Sequence, residues 1–472
     1  MTFRNRRGRA AVYAAKQEDA QLYEIVQRQQ RRQKKVVSRP LLVCLLLLWF
    51  FRHKSVLLRS STKTIFRAAE IDSSNQSLQQ HSHKLFFQQP VFGPETVVIG
   101  KHQQILVLTE DGKLVELLVD DKNQKKKNKK NKEKIDSSST SSNTTVDSRI
   151  VQELGIGRPL GGRYTSHEHT LYIADAVLGL TRLRHYDDNN KRKSRVELIA
   201  NTVTVLTEKG IPYESPLRYV NAVAVGPQTG NIYFTDSTDI APPRIRKNGK
   251  YVWDTMYASK LDLIRGQAVG RVCEYNPRTG QVRILADGIH FANGIAVDPV
   301  HEKWLVVAET FGTRLLHYSL STTKTSSALL LKPSDYLEPQ ILVDAGDMTG
   351  YVDNVDCAVH KGTMYCYGAI VNAFSPIHRL LVKLPSILQQ VARTLLWYLP
   401  HSLAPPVVPK YTGVVRVNME TRHIEYIQDP TASVVQMISG VTVHQNRLYL
   451  GSLTNDHIVV YDLEQEWRSE GE

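Results

Sequence analysis

Cysteine is scarce in this sequence, with four in 472 residues. Cys44 lies in an apolar run and Cys273 is isolated, whereas Cys357 and Cys366 flank a two-residue turn predicted at 361–362. That register places 357 and 366 directly opposite each other on adjacent strands. Four cysteines exclude a disulfide-dense scaffold. A cross-strand disulfide and two reduced, packed thiols both remain open for this pair.

Several sequence motifs of common catalytic and binding sites are also absent. The chain has no Gly-x-Ser-x-Gly elbow, no Gly-rich phosphate loop and no Cys-x-x-Cys pair. Serine-hydrolase, nucleotide-binding and zinc functions therefore lack their usual sequence patterns.

The positive charge of the chain is confined to two segments. The net charge is +14. Residues 1–54 hold 13 Lys and Arg against three acidic residues, and residues 121–134 hold eight Lys against two. Because these two segments together exceed the net charge of the whole chain, the remaining residues are close to neutral. We therefore predict no nucleic-acid partner.

Only one long apolar run is present, at 40–51, between Arg39 and Arg52. It is shorter than the ~20 residues that a spanning helix needs, but flanking residues extend it to 58. Basic residues are denser before the run than after it. The pattern favours a single-pass type II anchor over 40–58, with a basic cytosolic tail at 1–39 and the body in the endomembrane lumen or at the cell surface. A cleaved signal sequence is the alternative.

Two polar segments of the chain lack a regular hydrophobic pattern. Residues 59–90 are expected to form a stem, and the Lys/Asn and Ser/Thr tract at 121–148 a disordered loop. Asn75 and Asn143 each begin an N-glycosylation tripeptide, which matters only if the body is lumenal.

A β-meander recurs through the rest of the chain. Its clearest copy is 290–320, where a polar opening is followed by short strands of alternating hydrophobicity with turn residues between them. Six such openings between 91 and 465 predict an all-β fold, a six-bladed β-propeller. Residues 376–400 instead read as a helical insertion before the last blade. One possibility is that the helix lies on the upper face of the propeller or in a membrane interface. The alternative is that it packs over loops.

Four polar residues stand where the first strand of a repeat begins: Glu95, Asn221, Asn293 and Asp353. In a propeller these positions meet at the mouth of the central channel. Carboxylate and amide oxygens are hard ligands that suit Ca²⁺. Such an ion either polarises a substrate oxygen or is purely structural.

The motifs around these residues resemble the strictosidine synthase-like proteins, and among them the adipocyte plasma membrane-associated protein branch. They are GRPLG (157–161), YVNAVAVGPQTGNIYFTDST (219–238), FANGIAVDPVHEKWLVVAET (291–310) and YVDNVD (351–356). The resemblance covers roughly 88–465 and implies a six-bladed propeller related to paraoxonases and diisopropyl fluorophosphatase. In those calcium hydrolases a Glu, two Asn and an Asp hold the ion, and by motif they fall on the same four residues. The resemblance gives Asp353 a second role, as nucleophile or base.

The chain departs from two relatives at positions that carry catalysis. By the resemblance, the catalytic Glu of the alkaloid synthase falls on Ser439, and the paraoxonase His falls on Leu160. We therefore expect a Ca²⁺-dependent hydrolase of a small ester or lactone, an arylesterase-like enzyme. The alternative is a non-catalytic binding propeller with structural calcium. A synthase of the Pictet–Spengler type is the third and weakest hypothesis.

Overall fold

The described part of the chain is built mainly from short β-strands. The computed structural model describes residues 68–88, 90–118, 143–165, 169–184, 194–247, 249–320, 330–399 and 410–469. All of them belong to one compact unit, Leu58–Glu472. The predicted tail at 1–39 and anchor at 40–58 lie outside the described residues. Within the described residues, no helix combines the length and hydropathy needed to cross a membrane.

The strands of the first half are β1 Ser82–Phe87, β2 Thr96–Ile99, β3 Ile105–Leu108, β4 Lys113–Leu118, β5 Asn143–Glu153, β6 Pro159–Thr165, β7 Thr170–Asp175, β8 Gly179–Arg184, β9 Arg195–Ala200, β10 Thr202–Leu206, β11 Pro212–Pro216, β12 Val220–Val225, β13 Ile232–Asp236 and β14 Arg244–Lys247. Those of the second half are β15 Lys250–Trp253, β16 Gly270–Asn276, β17 Gln281–Ile289, β18 Ala292–Val297, β19 Trp304–Glu309, β20 Arg314–Ser319, β21 Gln340–Val343, β22 Gly350–His360, β23 Thr363–Ala373, β24 Thr412–Asn418, β25 Ile424–Asp429, β26 Ile438–His444, β27 Arg447–Ser452 and β28 His457–Asp462. The α-helices are α1 Ser77–Gln80, α2 Thr255–Arg265, α3 Pro376–Lys383, α4 Ser386–Trp397 and α5 Leu463–Ser469.

The strands form a propeller-like arrangement of sheets. Four sheets have four strands each, in the orders β6-β7-β8-β9, β12-β13-β16-β17, β18-β19-β20-β21 and β22-β23-β24-β25. One sheet has eight strands, in the order β2-β3-β4-β5-β1-β28-β27-β26. The pairing of β1 with β5 is parallel, whereas the pairings on either side of it are antiparallel. The hairpins β10-β11 and β14-β15 stand apart from these sheets.

The innermost strands pack against one another in cyclic order: β2, β6, β12, β18, β22 and β26, with β26 returning to β2. Glycine permits the close approach. A side-chain carbon on Gly440 of β26 would lie 2.1 Å from the carbonyl oxygen of Glu95, and one on Gly161 of β6 would lie 2.7 Å from that of Asn221. The predicted site residues therefore stand on backbone that is held tightly between neighbouring sheets.

The core lies between the sheets, because both faces of most strands are covered. Ile295 and Val307, for example, share one buried cluster with Ala224 and Tyr233 of the preceding sheet. Strands buried on both faces are rich in Val, Ile, Leu and Ala, which is the composition of the inner strands here.

The structure differs from the predicted stem and loop. Residues 59–90 were expected to be a polar stem, but α1 and β1 belong to the body, and Leu78 is fully buried. β1 pairs with β28, about 370 residues away in sequence, which local pattern does not reveal. The predicted loop at 121–148 is also too long, because β5 begins at Asn143 and pairs with both β4 and β1.

The helical insertion predicted at 376–400 is present as two helices, α3 and α4, which lie between β23 and β24. Ser375 begins α3, and its hydroxyl accepts a hydrogen bond from the His378 amide. Pro385 separates α3 from α4, since proline removes a backbone donor and restricts the residue before it.

Candidate metal centre

The four predicted ligands lie at the inner strands of four different sheet segments. Asn221, Asn293 and Asp353 are in β12, β18 and β22, and Glu95 directly precedes β2. All four side chains are buried, with no more than 8% of any residue exposed. Buried polar groups are costly unless they have partners, so the partners of each decide what the site can do.

The carboxyl groups of Glu95 and Asp353 are both desolvated. Burial raises the pKa of Glu95 to about 7, while the charge of Arg158 opposes the rise and that of Glu110 adds to it. Burial also raises the pKa of Asp353 well above its ordinary value, and the charge of Glu95 adds to the effect. A cation beside a desolvated carboxyl group would stabilise its charged form.

Each asparagine is oriented by a hydroxyl group. The side-chain amide of Asn221 donates to Ser237 Oγ at 3.0 Å, and Ser237 Oγ donates to the carbonyl oxygen of Ala292 at 2.6 Å. The amide of Asn293 donates to Thr310 Oγ1 at 3.1 Å, and that hydroxyl donates to the carbonyl oxygen of Val352 at 2.7 Å. Because each hydroxyl gives its proton to a carbonyl, it must accept from the amide.

The same chain of hydrogen bonds, from amide to hydroxyl to backbone carbonyl, occurs at Asn221 and Asn293. It fixes the NH₂ end of each side-chain amide toward the hydroxyl group, so the oxygen end points away from it. The Oδ1 atom of Asn293 is buried and has no hydrogen-bond partner among the described residues. The same amide lowers the pKa of Asp353 by a hydrogen bond. The N–H groups of Asn293 therefore serve Thr310 and Asp353, and its unpartnered buried oxygen is a donor that a hard cation would use.

Arg158 is a residue of the candidate site that the sequence alone did not single out. Its Nη2 donates to Glu95 Oε2 at 2.8 Å, and both side chains are almost completely buried. Its Nε and Nη1 have no partner among the described residues. Arg158 directly precedes β6, so the GRPLG motif carries it to the mouth of the ring. Its charge opposes the effect of burial on the pKa of Glu95, and the ion pair fixes the position of that carboxyl group.

The residues present fit a calcium ion by the chemistry of their donors, since two carboxylates and two amide oxygens are hard ligands. No group of three or more His, Cys, Asp and Glu side chains within the described ranges is arranged to hold a metal ion. The predicted set contains only two residues of those types, because its other members are asparagines.

The two positions at which relatives carry catalytic groups are occupied differently. Leu160 is buried in an apolar cluster with Tyr219 and Phe291. Ser439 is fully buried, and its hydroxyl has no hydrogen-bond partner in the part of the chain that the structure describes. Neither residue supplies a titratable group to the site.

A second polar pair lies farther along the same inner strands. Arg163 of β6 forms an ion pair with Asp356 of β22, and Asp356 also accepts from the Val443 amide at 2.9 Å. A cavity of about 30 Å³ lies here, lined in part by Thr96, Asn354 and Asp356. This volume has room for one or two waters.

Two further predictions concern positions outside the centre. Cys357 and Cys366 are opposite each other in the β22–β23 hairpin, as the predicted turn requires, and they form a disulfide with a Cα–Cα distance of 4.1 Å.

The first predicted glycosylation residue, Asn75, is half-buried, and its Nδ2 donates to the carbonyl oxygen of Tyr426 at 3.1 Å. Asn143 is the first residue of β5. Glycosylation of both asparagines stays a prediction.

Residues 221–323 match the family model described as strictosidine synthase. Strictosidine synthase-like 3 of Arabidopsis thaliana is 26% identical over 318 residues, which cover 65% of this chain and 67% of the relative. Human adipocyte plasma membrane-associated protein is 28% identical over 296 residues, which cover 63% of this chain and 61% of the relative. Its Drosophila melanogaster counterpart Hemomucin is 29% identical over 321 residues, covering 66% of this chain and 51% of the relative. The alignments thus span between about half and two thirds of these relatives.

Solved structures with similar folds include a gluconolactonase from Xanthomonas campestris, with a TM-score of 0.47, 11% identity, and coverage of 86% of this chain and 96% of that chain. Regucalcin from Agrobacterium tumefaciens, a calcium-binding protein, has a TM-score of 0.43, 10% identity, and coverage of 80% and 94%. The family resemblance expected from the sequence rests on the family model and the curated relatives, and it is confirmed as a resemblance: residues 221–323 match the strictosidine synthase model, and the relatives are strictosidine synthase-like and adipocyte plasma membrane-associated proteins.

Proposed function

We propose that this protein is a Ca²⁺-dependent hydrolase of small esters or lactones. The observation that carries the proposal is the buried Oδ1 of Asn293, which has no hydrogen-bond partner among the described residues. The N–H end of the same amide bonds the desolvated carboxyl group of Asp353, so an unsatisfied amide oxygen and a carboxyl group belong to one site, as a cation requires.

Each residue of the centre has a definable task. Glu95, Asn221, Asn293 and Asp353 would hold the ion. A bound Ca²⁺ would polarise the carbonyl oxygen of an ester and stabilise the negative charge that develops there. Arg158 holds Glu95 in position, and Ser237 and Thr310 hold the amides. Asp353 is the group at which a proton is held or moved, since burial raises its pKa.

Hydrolysis of an aryl ester and a lactone, measured with and without EDTA, tests the proposal. We expect chelation to abolish turnover and added Ca²⁺ to restore it. Asp353→Asn keeps the shape of the side chain, and we expect a loss of roughly a hundredfold or more. Activity that is indifferent to the chelator and to Asp353→Asn would overturn the proposal, provided that circular dichroism shows a folded variant.

A second function is favoured by Leu160 and Ser439, which lack the acid–base groups that relatives carry at these positions. In this alternative the protein is a non-catalytic binding propeller, and calcium only stabilises it. A chelator that lowers the melting temperature, combined with no hydrolysis across a broad ester panel, would establish the alternative. Ser439 also leaves Pictet–Spengler condensation without its acid–base residue, so we do not propose it.

We further propose that the ring has six blades. Four are the separate four-stranded sheets. The other two are the halves of the eight-stranded sheet on either side of the β1–β5 pairing. The cyclic packing of six inner strands supports this division.

We also propose a single-pass type II membrane protein whose body lies in the endomembrane lumen or at the cell surface. Support comes from the apolar run at 40–51 and from the Cys357–Cys366 disulfide, which suits an oxidising compartment. Carbonate extraction tests the anchor, and release of the body into the soluble fraction would reject it. A glycosidase-sensitive mass shift that Asn75→Gln and Asn143→Gln remove would place the body in the lumen.

A further inference from the structure

Helices α3 and α4 turn apolar side chains toward solvent. Six large apolar residues of this segment are exposed, at fractions between 37% and 67%. We call them the outer helical face: Ile377, Leu380, Ile387, Leu388, Leu395 and Tyr398. A helix on a globular protein normally turns its apolar stripe inward, and an apolar patch of this kind marks an interaction surface.

The inward side of the same helices carries polar groups as well as an apolar one. His378, Arg393 and Thr394 are buried there together with Leu381. Arg393 Nη1 donates to the carbonyl oxygens of Leu263 and Ile264, at 2.8 Å each, and so caps the end of α2. His378 Nδ1 bonds the Tyr351 hydroxyl at 2.9 Å. These bonds fix the rotation of both helices, so the outer helical face cannot roll inward without breaking them.

The segment also carries charge of one sign only. Residues 357–419 contain no Asp or Glu. Arg379 and Lys383 are exposed on α3, beside Leu380. Basic residues flanking an exposed apolar helical surface are the pattern of helices that lie in the interface of an anionic bilayer.

We propose that the outer helical face docks on the surface of an anionic phospholipid bilayer, with its apolar side chains among the acyl chains and Arg379 and Lys383 among the headgroups. Charge complementarity selects this occupant over a basic or neutral protein groove. Long basic side chains reach headgroups while their stems stay in apolar surroundings. The docking surface is independent of the proposed hydrolysis.

Local quenching of a fluorescent probe tests the proposal in the full chain. On a Cys44→Ser background, a polarity-sensitive dye is attached at Leu388→Cys, and in a second sample at Leu198→Cys. Leu198 is equally exposed but lies on β9, so it is the matched control. Vesicles of phosphatidylcholine alone, or with phosphatidylserine, carry doxyl-labelled lipids. Quenching by these lipids is short-ranged, so the apolar run at 40–51 does not by itself produce it at the dye.

We expect quenching at 388 with the phosphatidylserine vesicles, severalfold weaker quenching without phosphatidylserine or at high salt, and none at 198. Leu380→Glu with Ile387→Glu should lower quenching at 388 about tenfold. Leu198→Glu with Ile211→Glu, which also charges two exposed apolar residues, should leave it unchanged.

Three outcomes would overturn the proposal. One is the absence of quenching at 388 with any vesicle. Another is equal quenching at 388 and 198. The third is a dye that is already shielded without vesicles, which would show that another segment of this chain or a second copy covers the face. Dilution then separates these two occupants, since only the second copy dissociates.

Discussion

At the scale of single residues, the hydrogen bonds of Asn293 show how the side chains of the candidate centre are oriented. Its NH₂ group bonds Thr310, whose own proton goes to the carbonyl oxygen of Val352 in the next sheet. Thr310 lies 17 residues after Asn293, and Ser237 lies 16 after Asn221. The two separations differ by one residue, so the same chain of hydrogen bonds recurs in the structure without an identical spacing in the sequence.

Replacing Asn293 should remove the effect of calcium on stability. In the unaltered protein, calcium at about 100 times its dissociation constant should stabilise the fold by about 2.7 kcal/mol. We expect Asn293→Ala to abolish this gain in thermal melts. Asn276→Ala is the control, because Asn276 caps a surface turn through the Arg278 amide. That change should lower the melting temperature while keeping the calcium-induced rise. A full calcium response in Asn293→Ala would contradict the assignment.

His378 should make the protein sensitive to acid. Burial lowers the pKa of His378 from its ordinary 6.5 to about 3, and the charges of Arg393 and His290 add to the effect. The Tyr351 hydroxyl also faces its ring. Below pH 6.5 the unfolded chain takes up a proton that the folded chain resists until about pH 3. Stability contributed by the neutral ring is therefore present above pH 6.5 and lost as the pH falls across this window.

We expect His378→Gln to flatten the fall in the urea midpoint between pH 7 and pH 4, even though the variant is less stable at neutral pH. His423→Gln changes an exposed histidine and should leave the pH dependence as it was. Parallel pH profiles for His378→Gln and the unaltered protein would count against a buried neutral imidazole.

At the scale of elements, the local pattern of the sequence predicts the hairpins well. Residues 290–320 were expected as a β-meander and form β18, β19 and β20, and the turn at 361–362 sets the register that joins Cys357 to Cys366. Pattern fails where pairing is remote. β1 is polar enough to resemble a stem, and only its partners β28 and β5 make it a strand. Arg158 was missed because nothing in its own neighbourhood shows that Glu95 lies beside it.

The β22–β23 disulfide should stabilise the hairpin below the candidate centre. It closes a short loop, with a sequence separation of 9. A cross-link of this length contributes about 2–3 kcal/mol by restricting the unfolded chain. We expect Cys357→Ser with Cys366→Ser to lower the free energy of unfolding by this amount. Dithiothreitol should destabilise the unaltered protein similarly and have little further effect on the double variant.

At the scale of the whole molecule, the ring is closed by the first strand of the described chain. β1 lies between β5 and β28 and brings Leu85 and Phe87 into the core of the eight-stranded sheet. Leu78, just before it, is buried against the sheet that contains β25. The body that folds therefore begins well before residue 91, where the sequence pattern alone would place it.

Deleting residues 1–89 should destabilise the body severely, whereas deleting residues 1–67 should not. The longer deletion exposes the edges of β5 and β28 and removes three buried side chains, a cost of roughly 5 kcal/mol or more. We expect the 68–472 fragment to melt close to the full chain and the 90–472 fragment to melt far lower or aggregate. Equal melting temperatures would show that β1 contributes little.

The position of β1 also sets the order of events during synthesis. One edge of the strand finds β5 soon, since Lys84 pairs with Asn143. Its other edge waits for β28, where Ser82 pairs with Tyr461. At ~5–20 residues per second the ribosome needs on the order of 20–75 s to supply those roughly 370 residues. Ring closure therefore cannot precede the synthesis of β28, and a pulse-labelled nascent chain should become protease-resistant only after that strand has left the ribosome.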